Sequence, residues 1–330
     1  GKMPETFGLP EEVENGVGLI VETSGSSGKP KRVTLSREAI LASANAAQIR
    51  LGGPGQWLLA LPINFVAGAN VLVRSLVADT PPVMMNTSLP FTAAAFANSA
   101  NFMRAERRYV SLVPTQLQRL LVEARTDDFL LSKLRRFDAI LVGGQAIDAA
   151  VLDEAKEQGL AIVRSYGMAE TAGGCVYDGL ALEGVSVRIA EDGRIQISGP
   201  TLAQDVADAD GWYTTSDLGV IEGGKLQILG RVNRVLNSGG LKVSLDLIEE
   251  AVRGIGGVVE AAVVAVPDLQ WGERAAVVYV GSPEVADFIA ADALTQLGPA
   301  AKPVRVVRVD TIPRLSSGKT DYQGLRVYLS

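Results

Sequence analysis

The chain has 330 residues, 47% apolar and 21% charged, enough to bury a large core and inconsistent with a mainly disordered chain. Its 37 acidic residues outnumber its 31 basic ones, and the net charge of −6 is opposite in sign to that of a generic nucleic-acid or anionic-membrane binder. One cysteine excludes an intrachain disulfide and a cysteine zinc cluster, and the lack of histidine excludes Ser-His-Asp and Cys-His catalysis and histidine metal sites.

Gly1-Lys2-Met3-Pro4 is followed by acidic and polar residues, not by an apolar run, which predicts no signal peptide and, with the single cysteine, a cytoplasmic protein. Apolar Leu19-Ile20-Val21 leads into a loop of hydroxyls and glycines, Thr23, Ser24, Gly25, Ser26, Ser27 and Gly28, ending at Lys29. Such a loop can turn successive N–H groups inward as an anion nest for a polyphosphate. Its spacing is not that of a Walker A loop. Ser36 predicts the cap of a helix with Ile40, Ala44, Ala47 and Leu51 on its apolar face. The charge-free stretch from Leu51 to Val73 is broken by Pro54, Pro62 and several glycines, so it predicts a strand at Trp57 to Leu61, a loop and a core helix, not a membrane span.

A further helix opens at Thr115, after Pro114. Ala139 to Val142 predicts a buried parallel strand ending at Gly143-Gly144, Asp148 caps a helix reaching Lys156, and Ala161 to Val163 is the next strand. This βαβ rhythm predicts a parallel sheet with helices on both faces. From Val185 the period changes to two, with a hairpin turning at Asp192-Gly193 and a second, from Leu218 to Leu229, turning at Gly223-Gly224. A smaller α+β unit follows, with helices from Ser244 to Arg253 and Pro283 to Leu297 and strands at Ala261 to Val266, Ala275 to Val280 and Val304 to Val309. The expected organisation is α/β. A large N-terminal domain over 1–230 has a parallel sheet flanked by helices plus a β-rich subdomain, and a small α+β domain covers 231–330.

Five segments, in order, resemble the adenylate-forming superfamily, which includes acyl-CoA synthetases, luciferases and peptide-synthetase adenylation domains. They are the serine-rich loop, Ser165-Tyr166-Gly167-Met168-Ala169-Glu170-Thr171, Gly211 to Gly219 around Asp217, Gly230 to Arg234 with Ser238 to Val243, and Pro313 to Lys319. The resemblance implies ATP-dependent activation of a carboxylic acid as an acyl-adenylate, then transfer to CoA, with a mobile C-terminal domain. It implies that Thr23 to Lys29 hold phosphates, that Glu170 is catalytic and holds Mg²⁺, that Asp217 accepts from the ribose hydroxyls, and that Arg231 supports ribose and phosphate. Gly144, Gln145, Ala146, Ser165, Tyr166, Gly167 and Met168 would border ATP or AMP. Lys319 would bridge the reacting carboxylate and the α-phosphate, Asn233 would be the hinge, and Gly239 and Gly240 would line the CoA tunnel.

Three stretches resemble the o-succinylbenzoate–CoA ligase branch of that superfamily: Val110 to Leu117, Ala67 to Leu76 and Gly173 to Gly179. The resemblance implies an acid pocket of Phe65, Arg74, Ser111, Thr115, Gln116, Gly143, Gly173 and Gly174, in which Arg74 anchors a second carboxylate and the two glycines after Glu170 leave room for a flat ring. This chain departs from the pattern at Phe65, where a histidine is usual, at Ala169 in place of threonine, and at Leu245 and Leu247. Only Gly1 to Ile20 precede the phosphate loop, which implies a trimmed N-terminal subdomain. The expected partners are an acid, ATP and CoA, with neither nucleic acid nor membrane, and a homodimer is allowed. A ligase for another aryl or acyl acid, a carrier-loading enzyme and a non-catalytic nucleotide binder stay open as alternatives.

Overall fold

The apolar run before the serine-rich loop and the segment after it pair as antiparallel strands, β1 (Val17–Ser24) and β2 (Pro30–Ser36), with Ser24 opposite Pro30. The computed structural model describes residues 16–24, 30–291, 297–315 and 320–329. Ser36 caps α1 (Arg37–Arg50) as its position predicts, its Oγ accepting from the Ala39 N–H at 3.0 Å. Ser36→Ala is expected to cost about 1 kcal/mol in urea unfolding, because one donor of the first turn loses its partner.

The alternating segments then build one sheet. In chain order they are β3 (Gln56–Leu59), α2 (Val66–Val77), β4 (Val83–Met84), α3 (Ala93–Ala100), β5 (Arg108–Leu112), α4 (Pro114–Ala124), α5 (Asp128–Leu134), β6 (Ala139–Gly143), α6 (Ala149–Glu157), β7 (Ile162–Met168), β8 (Gly173–Tyr177) and β9 (Leu180–Ala181). The strand order is β4-β3-β5-β6-β7-β8-β9. Strands β4 to β7 are parallel, as expected, but β8 and β9 run antiparallel. The reversal comes from a 3-10 turn at Ala169–Thr171, after which Ala172 and Gly173 both take positive φ and return the chain along β7.

Strand alternation gives the sheet two apolar faces. Leu58, Val110, Ile140 and Val142 pack under α3 to α6, while Trp57, Leu59, Tyr109 and Leu141 pack under α1 and α2. The charge-free stretch thus contains a buried strand and the first two-thirds of α2. Among the described residues no helix is long and apolar enough to cross a membrane.

An antiparallel sheet follows, of β10 (Ser186–Ile189), β11 (Arg194–Ser198), β12 (Tyr213–Glu222) and β13 (Lys225–Arg231), with turns at the two expected places. Ile195 and Ile197 of β11 join the core beneath α1 and α2.

The remaining elements are β14 (Val235–Ser238), β15 (Leu241–Ser244), α7 (Leu245–Arg253), β16 (Val258–Asp268), β17 (Gly272–Gly281), α8 (Val285–Ala291) and β18 (Arg305–Arg308). They form a further sheet, β15-β14-β17-β16, with β18 parallel to β17 and with apolar clusters of its own. The expected helix from Pro283 to Leu297 is helical over α8, and its part at 292–296 lies outside the described residues. Gly239-Gly240 turns the β14–β15 hairpin with φ of 59° and 85°, the pair of positive values a tight two-residue hairpin demands.

A charged cluster lies within this second unit. Arg234 is buried and bonds Asp246 at 2.6 Å, Glu249 at 2.7 Å and the Val263 carbonyl at 2.6 Å, with the Tyr322 ring 3.7 Å from its Cζ. Glu249 also pairs with Arg253 and accepts from the Tyr322 hydroxyl at 3.1 Å. The segment following Lys319 is therefore tied to the residues just after β13.

Candidate active site

Glu170 sits on the 3-10 turn where the chain reverses between β7 and β8. The turn is held from several sides. Thr171 Oγ1 accepts from the Met168 N–H at 2.9 Å and lies 2.7 Å from the Gly173 carbonyl, and the Glu170 carbonyl accepts from the Ala203 N–H at 2.8 Å. Ala172 is a non-glycine residue at φ 51°, which costs on the order of 1 kcal/mol and must be offset by such contacts. The Glu170 carboxylate is only 13% exposed and meets Lys31 Nζ at 3.1 Å. Ala169, where the superfamily has threonine, points into an apolar cluster with Val21, Val33 and Leu35, a place suited to a methyl group.

Asp217 lies on β12, opposite Arg231 on β13. One carboxylate oxygen pairs with Arg231 Nε at 3.0 Å, and the other accepts from the Tyr166 hydroxyl at 2.9 Å. Tyr166 and Tyr213 stay protonated at neutral pH. Burial, then the Asp217 charge, raises the Tyr166 phenol, while burial, then the charges of Glu170 and Asp217, pushes Tyr213 up to about 12. Tyr213 thus stands within electrostatic reach of both carboxylates. It also lines a cleft of about 400 Å³ with Lys31, Thr34, Gln204 and Val206. The stem of the serine-rich hairpin and the Asp217 strand therefore open onto one cleft.

Lys31 and Tyr213 carry no role in the sequence reasoning. Lys31 had a legible signal: it shares the period-2 face of β2 with buried Val33 and Leu35, the face that meets the Glu170 turn. Gly25, Ser26, Ser27, Gly28, Lys29 and Lys319 lie outside the described residues, as does the side chain of Ser24, whereas Thr23 donates to the Lys31 carbonyl at 3.3 Å across the hairpin. Gly144, Gln145 and Ala146 form an exposed loop after β6, and Ser165, Gly167 and Met168 lie on β7 beside it. Asn233 is exposed in a short 3-10 turn between β13 and β14.

On the acid side, half-buried Phe65 precedes α2, and Arg74 lies on the same helix. Arg74 is 5% exposed, donates to the Tyr177 hydroxyl at 3.1 Å and stacks 4.8 Å above the Trp57 ring, while its Nε has no hydrogen-bond partner. Ser111 is buried on β5, and Thr115 is half-buried at the start of α4.

The Gln116 amide is partly engaged within the fold: its Oε1 accepts from the Val113 N–H and its Nε2 donates one hydrogen to the Ala60 carbonyl, both at 3.1 Å. One expectation needs correction. Gly173 and Gly174 do not leave open space for a ring. A Cβ on Gly173 would lie 2.3 Å from Asn70 Nδ2, and one on Gly174 would lie 2.2 Å from Ser165 Oγ. These glycines let β7, β8 and α2 approach closely. Gly143 likewise has the Ser165 carbonyl 2.5 Å from where its Cβ would be.

The parallel-strand sheet, the β-rich part and the C-terminal domain together make the fold of an adenylate-forming enzyme. The chain belongs to the AMP-binding enzyme family, whose sequence model matches residues 10–211, with the AMP-binding enzyme C-terminal domain matching residues 247–319. It is 39% identical over 330 residues to the probable 2-succinylbenzoate–CoA ligase of Mycobacterium tuberculosis (strain ATCC 25618 / H37Rv), covering 96% of this chain and 85% of that protein. Its fold is similar to o-succinylbenzoate CoA synthetase from Bacillus subtilis in complex with the acyl-adenylate intermediate OSB-AMP, with a TM-score of 0.81 and 26% identity over 93% of this chain and 68% of that one. The same synthetase in complex with ATP and magnesium ion matches with a TM-score of 0.80 and 25% identity over 93% and 69% of the two chains.

Proposed function

We propose that the protein is an AMP-forming acid–CoA ligase that converts o-succinylbenzoate to o-succinylbenzoyl-CoA, a step of menaquinone biosynthesis. The observation that carries it is that segments far apart in sequence bring Lys31 to Glu170 and both Tyr166 and Arg231 to Asp217, with Tyr213, which lines the cleft beside Lys31, within electrostatic reach of both carboxylates. The likeness to 2-succinylbenzoate–CoA ligases along nearly the whole chain supports the choice of acid.

In this mechanism a carboxylate oxygen of the acid attacks the α-phosphorus of ATP, the bond to pyrophosphate breaks, and acyl-AMP forms. The CoA sulfur then attacks the acyl carbon, its proton is lost to solvent, and AMP leaves. Asp217 accepts from the ribose hydroxyls, with Tyr166 and Arg231 fixing both its oxygens. The donor set fits Mg²⁺: among the described residues no cluster of three acidic ligands could hold a metal alone, and a single carboxylate suits an ion that arrives on a triphosphate. Bound there, the ion would neutralise phosphate charge, with Glu170 as its protein ligand. Lys31, which touches one oxygen of Glu170, would stand beside that ion and lend its ammonium to a phosphate oxygen. Lys319 supplies the charge that bridges the reacting carboxylate and the α-phosphate. We assign 231–330 as the lid, with Asn233 as its hinge and Gly239-Gly240 along the path of the CoA thiol.

Arg74 supports a dicarboxylate substrate, since a buried guanidinium with an unpartnered Nε suits an anion. Incubation with ATP, Mg²⁺, CoA and o-succinylbenzoate should yield AMP, pyrophosphate and the thioester. ADP as product would overturn the adenylate route, and a better rate with monocarboxylic aryl acids would overturn the choice of substrate. Arg74→Leu should raise the KM for o-succinylbenzoate about tenfold, the loss of one charged hydrogen bond, with the KM for ATP unchanged.

A further inference from the structure

We propose that Asn70 and Ser43, buried on α2 and α1, are positioning residues that set the Glu170 carboxylate for the metal–triphosphate complex. Both donate to one acceptor, the Ala172 carbonyl, Asn70 Nδ2 at 2.8 Å and Ser43 Oγ at 2.9 Å. Asn70 is 2% and Ser43 1% exposed, so neither bond is traded with water. Ala172 is the left-handed residue, φ 51° and ψ 35°, that ends the Glu170 turn, and a peptide in that conformation persists only where its surroundings hold it. Asn70 also occupies the space that a Cβ on Gly173 would need, so it fills the outer side of the turn as well as bonding it. The other anchors, the Thr171 hydroxyl and the Ala203 N–H, belong to the turn itself or to a loop. Asn70 and Ser43 are the anchors supplied by the helices that cover the sheet. Asn70 ties the turn to the helix that carries Arg74 and that Phe65 precedes, and Ser43 ties it to α1. Groups that orient a metal ligand commonly govern affinity by ten- to a hundredfold without touching the ion.

This rests on Glu170 as the magnesium ligand, so the test carries a variant of each kind. ATP binding to the full chain is measured by titration calorimetry with Mg²⁺ and with EDTA, and the ratio of the two affinities is read for the native protein, Glu170→Gln, Ser43→Ala and Asn70→Leu. The ratio should fall close to one in Glu170→Gln, about tenfold in Asn70→Leu and about threefold in Ser43→Ala, with affinity in EDTA unchanged. A native ratio in Glu170→Gln would overturn the metal assignment itself. A collapsed ratio in Glu170→Gln beside native ratios in both helix variants would overturn the positioning role alone, even if their melting temperatures fall. If Asn70→Leu fails to fold, Ser43→Ala, which loses a single oxygen, decides.

Discussion

Lys319→Ala should lower acid-dependent pyrophosphate release by at least about a hundredfold, and thioester formation from supplied acyl-AMP should stay near the native rate. The reason is charge. As the carboxylate attacks the α-phosphorus, negative charge grows on oxygens that already belong to two anions. Lys31 and Arg231, the cations that touch the two carboxylates, are each paired with one of them, Glu170 and Asp217. A further point charge is needed where the charge develops, and a positioned donor of that kind is worth about 3 kcal/mol, or about a hundredfold in rate. Lysine suits the role because its ammonium is compact and its stem flexible. Thioester formation breaks no phosphorus–oxygen bond to pyrophosphate, so it makes no such demand. Stopped-flow measurement of pyrophosphate alongside chromatography of the thioester separates the two halves. Native adenylation in the variant would remove Lys319 from the mechanism.

Asp217→Asn should raise the KM for ATP about a hundredfold. The carboxylate accepts from Tyr166 and faces Arg231, so both oxygens are oriented before ATP arrives. An asparagine amide keeps the shape but can offer only one oxygen, and its NH₂ must confront either the phenol hydrogen or the guanidinium. Each hydrogen bond to a charged acceptor is worth about 1.5–3 kcal/mol, and two ribose hydroxyls are at stake. Asp178→Asn is the control: it removes an exposed carboxylate paired with exposed Arg164 and should change the KM less than about twofold. A native KM for ATP in Asp217→Asn would overturn the ribose assignment.

Much of the architecture was legible because its causes are local. Ser36 and Asp148 cap helices through bonds that span two or three residues. The turns at Asp192-Gly193 and Gly223-Gly224 follow from backbone conformations that glycine reaches easily. The reversal into β8 was not legible, since it depends on a left-handed Ala172 that nothing in the neighbouring residue types announces. Gly173 and Gly174 misled for a related reason. A glycine signals that a side chain cannot fit, but not whether substrate or protein backbone fills the space, and here it is Asn70, Ser165 and strand packing. The hold of the Gln116 amide on the chain just after β3, a bond across 56 residues, was not legible either.

The amino-acid order alone determined the chemistry on offer. Without histidine and with one cysteine, carboxylates, amines, hydroxyls and glycine turns had to do the work, and the five motifs in order named the superfamily. Only the tertiary structure decided which of those groups meet. Lys31 reaches Glu170 across 139 residues, Tyr166 reaches Asp217 across 51, and Asn70 reaches the Glu170 turn across 102. Such pairings depend on how sheets and helices stack, a long-range property that side-chain period and spacing do not encode.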